Sequence, residues 1–188
     1  MSLLIAGLVL FLGIHSLTTV RDPRAALIAR LGEGPYKGLY SLVAAAGLVL
    51  IVWGYGRYRS DGFVQVWEPP AWLHPVTIVL MWFAFVALAA AYVPLGKIKS
   101  TLRHPMLVGV KTWALAHLLV NGDVGSMVLF GAFLLWAGYD RIALKRRGDN
   151  GAPASGVTTG DGIALMFGTL GYAAMWWIHP LAIGVPIS

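Results

Sequence analysis

Six apolar stretches follow one another along the chain, and each is nearly free of charged residues. They cover approximately residues 2–20, 39–55, 75–93, 105–120, 124–139 and 163–178. A helix of about 20 apolar residues crosses the ~30 Å hydrocarbon core of a bilayer, and inside lipid a helix satisfies its own backbone hydrogen bonds. The pattern therefore predicts an all-α protein, a polytopic transmembrane helix bundle of about six spans.

Composition supports a partnership with the lipid bilayer. Hydrophobic residues make up 58% of the chain and charged residues 12%, with a mean hydropathy of +0.73, so a soluble domain could not cover its core with polar surface. The net charge of +6 lies in the connectors, where it sets membrane orientation, so we expect no nucleic-acid partner. There are no cysteines, which excludes disulfides, thiolate ligands and c-type haem attachment.

The connectors predict one transmembrane domain over residues 1–188. Asp22 and Pro23 are typical of an N-cap followed by proline at the first helical position, here of a short interfacial helix that ends near Arg30. The connector at 121–123 is short enough to force an antiparallel hairpin. Residues 148–162, rich in Gly, Ser, Thr and Ala, predict a mobile linker.

The distribution of cations predicts the orientation. Most Lys and Arg residues occupy the first, third and fifth connectors, namely Arg21, Arg24, Arg30, Lys37, Lys97, Lys99, Arg103, Arg141, Lys145, Arg146 and Arg147. The second connector has Arg57 and Arg59. The positive-inside rule therefore places the three cation-rich connectors in the cytoplasm and both termini on the opposite, periplasmic side.

Polar residues inside lipid are the candidates for function, because they are expensive to place there. No carboxylate falls in the middle of a predicted span, so a proton relay through a buried acid has no carrier. His15 in span one and His104 and His117 in span four remain. Neutral imidazole is a natural axial ligand of haem, although a single membrane histidine can also make an interhelical hydrogen bond worth on average about 0.6 kcal/mol. His74 and His179 are interpreted as interfacial.

Three cationic or titratable groups of span four suit an anionic ligand. Lys111 near the middle of that span costs about 2.5 to 3.5 kcal/mol on insertion scales, and no buried carboxylate is available to pair with it. A propionate, carboxylate or phosphate of a bound ligand is one partner, and snorkelling is the alternative. Arg103 and His104 at the mouth of the same span suit a haem propionate or a cofactor carboxylate, or else lipid phosphate.

Several motifs together resemble the NnrU family of bacterial membrane proteins, whose relatives include zeta-carotene isomerase. They are Gly13-Ile14-His15-Ser16, Leu31-Gly32-Glu33 with Tyr36 to Leu42, Asp61-Gly62 to Trp67, Arg103 to Gly109, Leu115-Ala116-His117 and Asp140-Arg141. The resemblance implies a multi-pass protein of the bacterial inner membrane.

In the isomerase branch two histidines hold a b-type haem, and the matching positions here are His15 and His117. The resemblance implies a haem used for redox-switched isomerisation of an apolar substrate such as a carotenoid, or a role in the expression of nitrite and nitric oxide reductases during denitrification. Ala114 stands where the isomerase has a cysteine, which argues against isomerase activity more than against haem binding. At ~1.5 Å per residue, His15 lies ~9 Å from Arg21 and His117 ~21 Å from Arg103, and a helix tilt of ~20° closes part of that difference in depth.

Two other function classes stay open. Arg103-His104-Pro105 is also similar to the motif that helps hold S-adenosylmethionine in isoprenylcysteine methyltransferase-like membrane enzymes. Those enzymes carry an acidic pair after the following helix, whereas residues 145–149 here read KRRGD, so this class ranks below haem binding. The third class is a non-catalytic assembly factor or sensor.

Overall fold

The computed structural model describes residues 1–184, and this part of the chain is almost entirely helical. Its α-helices are α1 (Ser2–Ser16), α2 (Arg21–Leu31), α3 (Glu33–Ser60), α4 (Leu73–Tyr92), α5 (Lys97–Leu102), α6 (Pro105–Val120), α7 (Val124–Arg146) and α8 (Thr159–Ile183). A 3₁₀ turn, Leu17–Thr19, continues α1. The described residues contain no β-strand, apart from an isolated bridge between Gln65 and Asp123. The predicted all-α fold is confirmed.

Four of these helices are long and apolar enough to cross a membrane. They are α1 with its 3₁₀ turn, α3, α4 and α7, and the mean hydropathy of their most apolar segments lies between 1.4 and 2.0. α6 is apolar but has 16 residues, and α8, with 25 residues, is not among the four. Each of the six predicted spans coincides with a helix, so the architecture of an all-α membrane bundle is confirmed.

Helices run further into polar sequence than the apolar pattern predicts, as α3 and α7 show. α3 begins at Glu33, six residues before the predicted span. In this first turn Glu33 and Lys37 lie one turn apart and form an ion pair of 2.7 Å. α7 ends at Arg146, well beyond residue 139, with basic residues in its last turn, where they favour a helix C-terminus. Hydropathy marks the part of a helix that lies in lipid, whereas the hydrogen-bonded helix continues past it.

The predicted N-cap at Asp22 is wrong. The short helix α2 is present, but its N-cap is Val20 and its first residue is Arg21, so Asp22 and Pro23 both lie within the first turn. Proline is tolerated there because the first N–H groups of a helix have no partner inside it. No residue of α2 is buried, in keeping with an interfacial helix.

The described residues group into two compact units along the chain. Unit 1 comprises residues 1–66 and 123–143, and unit 2 comprises residues 67–122 and 144 onwards. Unit 1 therefore holds α1, α2, α3 and most of α7, and unit 2 holds α4, α5, α6 and α8. That the chain is a single domain stays a prediction.

In unit 1, glycines let α1 and α3 pack with their backbones almost in contact. A Cβ placed on Gly47 would lie 2.7 Å from the backbone N of Phe11, and one on Gly7 would lie 2.6 Å from the backbone N of Ile51. Gly54 meets the backbone of Leu4 in the same way. Small residues at such crossings are the usual means of helix association in lipid, where no hydrophobic force drives helices together.

The start of α7 in unit 1 is fixed by a buried carboxylate. Asp123, 3% exposed, accepts a hydrogen bond from the backbone N–H of Ser126 at 2.9 Å and another from the Ser126 hydroxyl. That hydroxyl is also 2.7 Å from the hydroxyl of Tyr55 on α3. Asp123 thus caps α7, and Ser126 ties α7 to α3.

In unit 2, α4 packs against both α6 and α8. On one side, a Cβ on Gly109 of α6 would lie 2.8 Å from the Leu88 side chain, and on the other a Cβ on Gly168 of α8 would lie 2.5 Å from Cα of Val86. The indole N–H of Trp82 also donates to the Thr169 hydroxyl at 3.0 Å. The apolar helices of this unit are therefore held by close packing and by side-chain hydrogen bonds such as this one.

The segment 148–162 makes specific hydrogen bonds with the connector before α6. The Thr158 hydroxyl donates to the carbonyl of Leu95 at 2.9 Å, and the Ser100 hydroxyl donates to the carbonyl of Ser155 at 3.3 Å. Thr158 and Asp161 also form a capping box at the start of α8. The mobility of this linker stays a prediction, but its described contacts place it against α5.

Candidate functional site

His15 lies in the last turn of α1, half-buried in unit 1. Its Nδ1 is 2.6 Å from the carbonyl oxygen of Phe11, one helical turn earlier. A carbonyl only accepts hydrogen bonds, so Nδ1 carries the proton and donates. In this tautomer Nε2 keeps its lone pair, which is the form in which a histidine ligates a metal.

Aromatic rings surround the His15 imidazole. The ring of Phe11 stacks on it with centroids 4.2 Å apart, and those of Tyr40 and Trp136 meet it edge-on at 5.5 and 5.9 Å. These rings come from three different helices of unit 1, so packing fixes the orientation of the imidazole. Apolar, aromatic walls with a single imidazole are typical of the lining of a site for a flat apolar macrocycle.

His117 repeats the same local arrangement in unit 2, near the end of α6. Its Nδ1 is 2.9 Å from the carbonyl oxygen of Trp113, again one turn earlier, so Nδ1 donates and the lone pair lies on Nε2. The Trp113 ring lies 5.2 Å from the imidazole. The two predicted ligands therefore share one tautomer and one mode of support by their own helix.

His179 of α8 lies beside His117 in unit 2. Its ring lies 6.4 Å from that of His117, centroid to centroid, with the planes 30° apart, and its interfacial position stays a prediction. Both histidines are near the same end of their helices, α6 and α8, and both helices pack on α4. The signal was available in the sequence, since His117 and His179 both fall at predicted outer ends of spans.

Arg103 and His104 form a tight turn between α5 and α6. Arg103 has φ +63°, a left-handed conformation that is uncommon outside glycine. Its carbonyl accepts a hydrogen bond from the N–H of Ala152 at 2.8 Å, and its guanidinium donates to the Ala152 carbonyl at 3.3 Å. The strained turn is thus held from outside by the 148–162 segment.

His104 is the N-cap residue of α6 and is largely covered. Its Nε2 is inaccessible and makes no hydrogen bond within the described residues, and it lies 3.8 Å from Oδ1 of Asp149, beyond hydrogen-bond reach. Asp149 uses that oxygen to accept from the N–H of Gly151 at 2.8 Å. The anionic group nearest to this imidazole is therefore a side chain of the protein itself.

Lys111 lies half-buried in the middle of α6. Within residues 1–184 it forms no hydrogen bond and no ion pair. An anionic ligand as its partner stays a prediction.

Comparison with known protein families identifies the family of this chain. The family model described as NnrU protein matches residues 3–187. The chain belongs to the NnrU family. No curated protein sequence and no solved structure matches it. The motifs that suggested this family lie on α1, α3, α6 and α7 and in the connectors beside them.

In this NnrU-family chain the predicted site residues fall into both units. His15 lies in unit 1, whereas Arg103, His104, Lys111 and His117 lie in unit 2, all on α6 or at its start. Within the described residues, no three side chains of His, Asp or Glu come close enough to hold a metal ion.

Proposed function

We propose that this NnrU-family membrane protein binds b-type haem, and that His15 in unit 1 and His117 in unit 2 are each a candidate ligand of its iron. The observation that carries the proposal is their shared hydrogen bond from Nδ1 to the carbonyl four residues earlier. That bond fixes the tautomer, orients the ring and raises the basicity of Nε2, as the outer hydrogen bond of a metal-binding histidine does.

The competing explanation is a purely structural histidine that bonds to a neighbouring helix. For His15 this explanation is disfavoured, because its one side-chain hydrogen bond within the described residues is to its own helix. Placing an imidazole in an apolar membrane helix costs free energy. Because the His15 imidazole forms no hydrogen bond with another helix within residues 1–184, a structural hydrogen bond does not explain its position.

Bound haem would supply one-electron redox chemistry. The chain's own part is to present Nε2, to wall the site with Phe11, Tyr40 and Trp136 at His15, and to exclude water. We propose a role linked to the expression of nitrite and nitric oxide reductases in the bacterial inner membrane. Haem-dependent isomerisation of an apolar substrate ranks second, because Ala114, fully buried, offers no thiolate.

The absorption spectrum of detergent-purified protein, from cells supplied with haem precursor, tests the proposal. We expect a b-type haem spectrum that His15→Ala and His117→Ala each alter or abolish. His74→Ala is the matched control, since His74 is exposed at the start of α4. A colourless preparation that also fails to take up added haem would sink the proposal.

The variant His179→Ala tests whether His117 or its neighbour His179 is the haem ligand. Because the His179 ring lies 6.4 Å from that of His117, we expect the substitution to shift the haem bands while the haem is retained. If His179→Ala removes the haem and His117→Ala leaves the haem spectrum intact, the ligand in unit 2 is His179 and the assignment to His117 is wrong.

A further inference from the structure

A pocket of about 320 Å³ lies in unit 1, between the end of α1, the short helix α2 and the first turns of α3. It is lined by Thr18, Arg24, Tyr36, Lys37, Tyr40 and Ser41. Every one of these side chains can donate a hydrogen bond, two of them are cations, and none is a carboxylate. The lining therefore suits a ligand that is rich in acceptor oxygens and negatively charged.

Tyr36 gives a second, independent indication of a ligand. The residue is 5% exposed, and its hydroxyl is inaccessible and has no hydrogen-bond partner within the described residues. Buried hydroxyls are almost always paired, so an unpaired one at a pocket calls for an explanation such as a bound group. The Arg24 guanidinium lies over the same ring, 5.7 Å from its centroid.

Lys37 forms an ion pair with Glu33 at 2.7 Å, and both side chains are about 70% exposed. Surface pairs of this kind contribute little to stability. Lys37 is therefore able to exchange Glu33 for an anion in the pocket at small cost. Arg24 lies near enough to Glu33 to interact with its charge, but it forms no ion pair within the described residues.

The position of the pocket identifies the source of the anion. Thr18 lies at the end of one helix that is long enough to cross a membrane, and Tyr36 to Ser41 lie near the start of another. The ends of such helices meet the headgroup layer, where basic pockets bind anionic lipid headgroups.

We infer that this pocket binds the phosphate headgroup of an anionic phospholipid, with Arg24, Lys37 and the Tyr36 hydroxyl as its donors. The inference needs no haem and goes beyond the proposed function. On the predicted orientation, the lipid belongs to the cytoplasmic leaflet.

Thermal stability of the purified protein in non-ionic detergent measures this binding. The additives are dihexanoyl phosphatidylglycerol, dihexanoyl phosphatidylcholine and inorganic phosphate, each titrated separately. We expect phosphatidylglycerol to raise the melting temperature saturably, since a ligand that binds the folded state stabilises it. The zwitterionic lipid and inorganic phosphate should leave it nearly unchanged.

Two variants and their controls locate the site. Arg24→Gln and Tyr36→Phe should each raise the half-saturating phosphatidylglycerol concentration about tenfold, the scale of one lost charge-assisted hydrogen bond. Tyr36→Phe keeps the ring and removes only the unpaired hydroxyl, so it should fold. Arg30→Gln, exposed on the same helix as Arg24, and Tyr92→Phe, 81% exposed, should behave like the wild type.

The remaining outcomes distinguish the lipid pocket from its alternatives and from the proposed haem site. If inorganic phosphate alone raises the melting temperature as much as phosphatidylglycerol does, the pocket binds free phosphate. If both lipids raise the melting temperature equally, the pocket does not recognise the headgroup. If Arg24→Gln and Tyr36→Phe lose haem but keep the lipid response, the pocket holds a haem carboxylate. A lipid response in a protein that takes up no haem supports the pocket and removes the proposed function alone.

Discussion

Asp161, in the first turn of α8, accepts several backbone hydrogen bonds in unit 2. Its carboxylate accepts hydrogen bonds from the backbone N–H groups of Ile98 at 2.7 Å, Thr158 at 2.8 Å and Lys97 at 2.9 Å. It thereby caps α8 and also accepts hydrogen bonds from the first two N–H groups of α5. The hydrogen bonds from Ile98, Thr158 and Lys97, in that order, hold the pKa of Asp161 below its usual value near 3.8.

We predict that Asp161→Asn lowers the melting temperature by roughly 2 to 6 °C at neutral pH, the scale of a lost helix cap in a protein of this size. The lowered pKa means that the charged carboxylate stabilises the fold above its ordinary pKa, and that this contribution is lost as pH falls through the folded-state value. The difference between wild type and variant should therefore shrink below about pH 4.

Thermal scans at several pH values check this prediction. Asp22→Asn serves as the control, because Asp22 is exposed and makes no hydrogen bond within the described residues. A difference in melting temperature that does not change with pH would show that Asp161 acts through packing and not through its charge.

His15, His104 and His117 could be named as candidates from sequence because an imidazole in an apolar stretch is conspicuous, whereas the choice of His15 and His117 rested on the resemblance to the NnrU family. Their surroundings could not be named. The aromatic rings around His15 come from residues 11, 40 and 136, whose proximity depends on how three helices pack. The role of Asp161 could not be predicted for a similar reason, since two of the three N–H groups that donate to it lie more than 60 residues earlier in the chain.

Among the helices, α1 and α3 depend on each other through their glycines. The sequence predicts both helices from hydropathy, but not which face of one meets the other. Gly54 is buried at this contact, whereas Gly56, two residues on, faces open space. Two chemically identical residues on one helix therefore have opposite tolerance for a methyl group.

We predict that Gly54→Ala destabilises the protein, because the added Cβ would lie 2.7 Å from the backbone carbonyl carbon of Leu3 and 2.8 Å from Cα of Leu4. Backbone cannot move aside cheaply, and overpacking of this kind costs typically about 1 to 3 kcal/mol. Gly56→Ala meets nothing within 4 Å and should be neutral or stabilising by up to ~1 kcal/mol, the helix preference of alanine over glycine.

The fraction of monomer that survives heating in detergent, measured by gel filtration, compares the two variants. Equal survival of Gly54→Ala and Gly56→Ala would mean that α1 and α3 do not pack through Gly54.

At the scale of the whole molecule, orientation follows from charge and from the number of crossings. The sequence predicts six crossings, and the structure supplies a helix for each, but α8 is not among those that meet the length and hydropathy expected of a span. α8 carries polar residues at its start and Pro180 near its end, so its apolar part is short. Whether it crosses decides on which side the C-terminus lies.

We predict that α8 does cross and that the C-terminus is periplasmic, because eleven of the 14 Lys and Arg residues lie in connectors that the positive-inside rule assigns to the cytoplasm. A fluorescent protein that matures only in the cytoplasm should stay dark when fused after Ser188, and a phosphatase that folds only in the periplasm should be active there. The same two reporters joined after Arg147, where the fifth connector begins, should give the reverse pattern. If the Ser188 fusion fluoresces and the Arg147 fusion does too, α8 lies on the cytoplasmic side and the membrane is crossed five times, which would leave the N-terminus outside and the C-terminus inside.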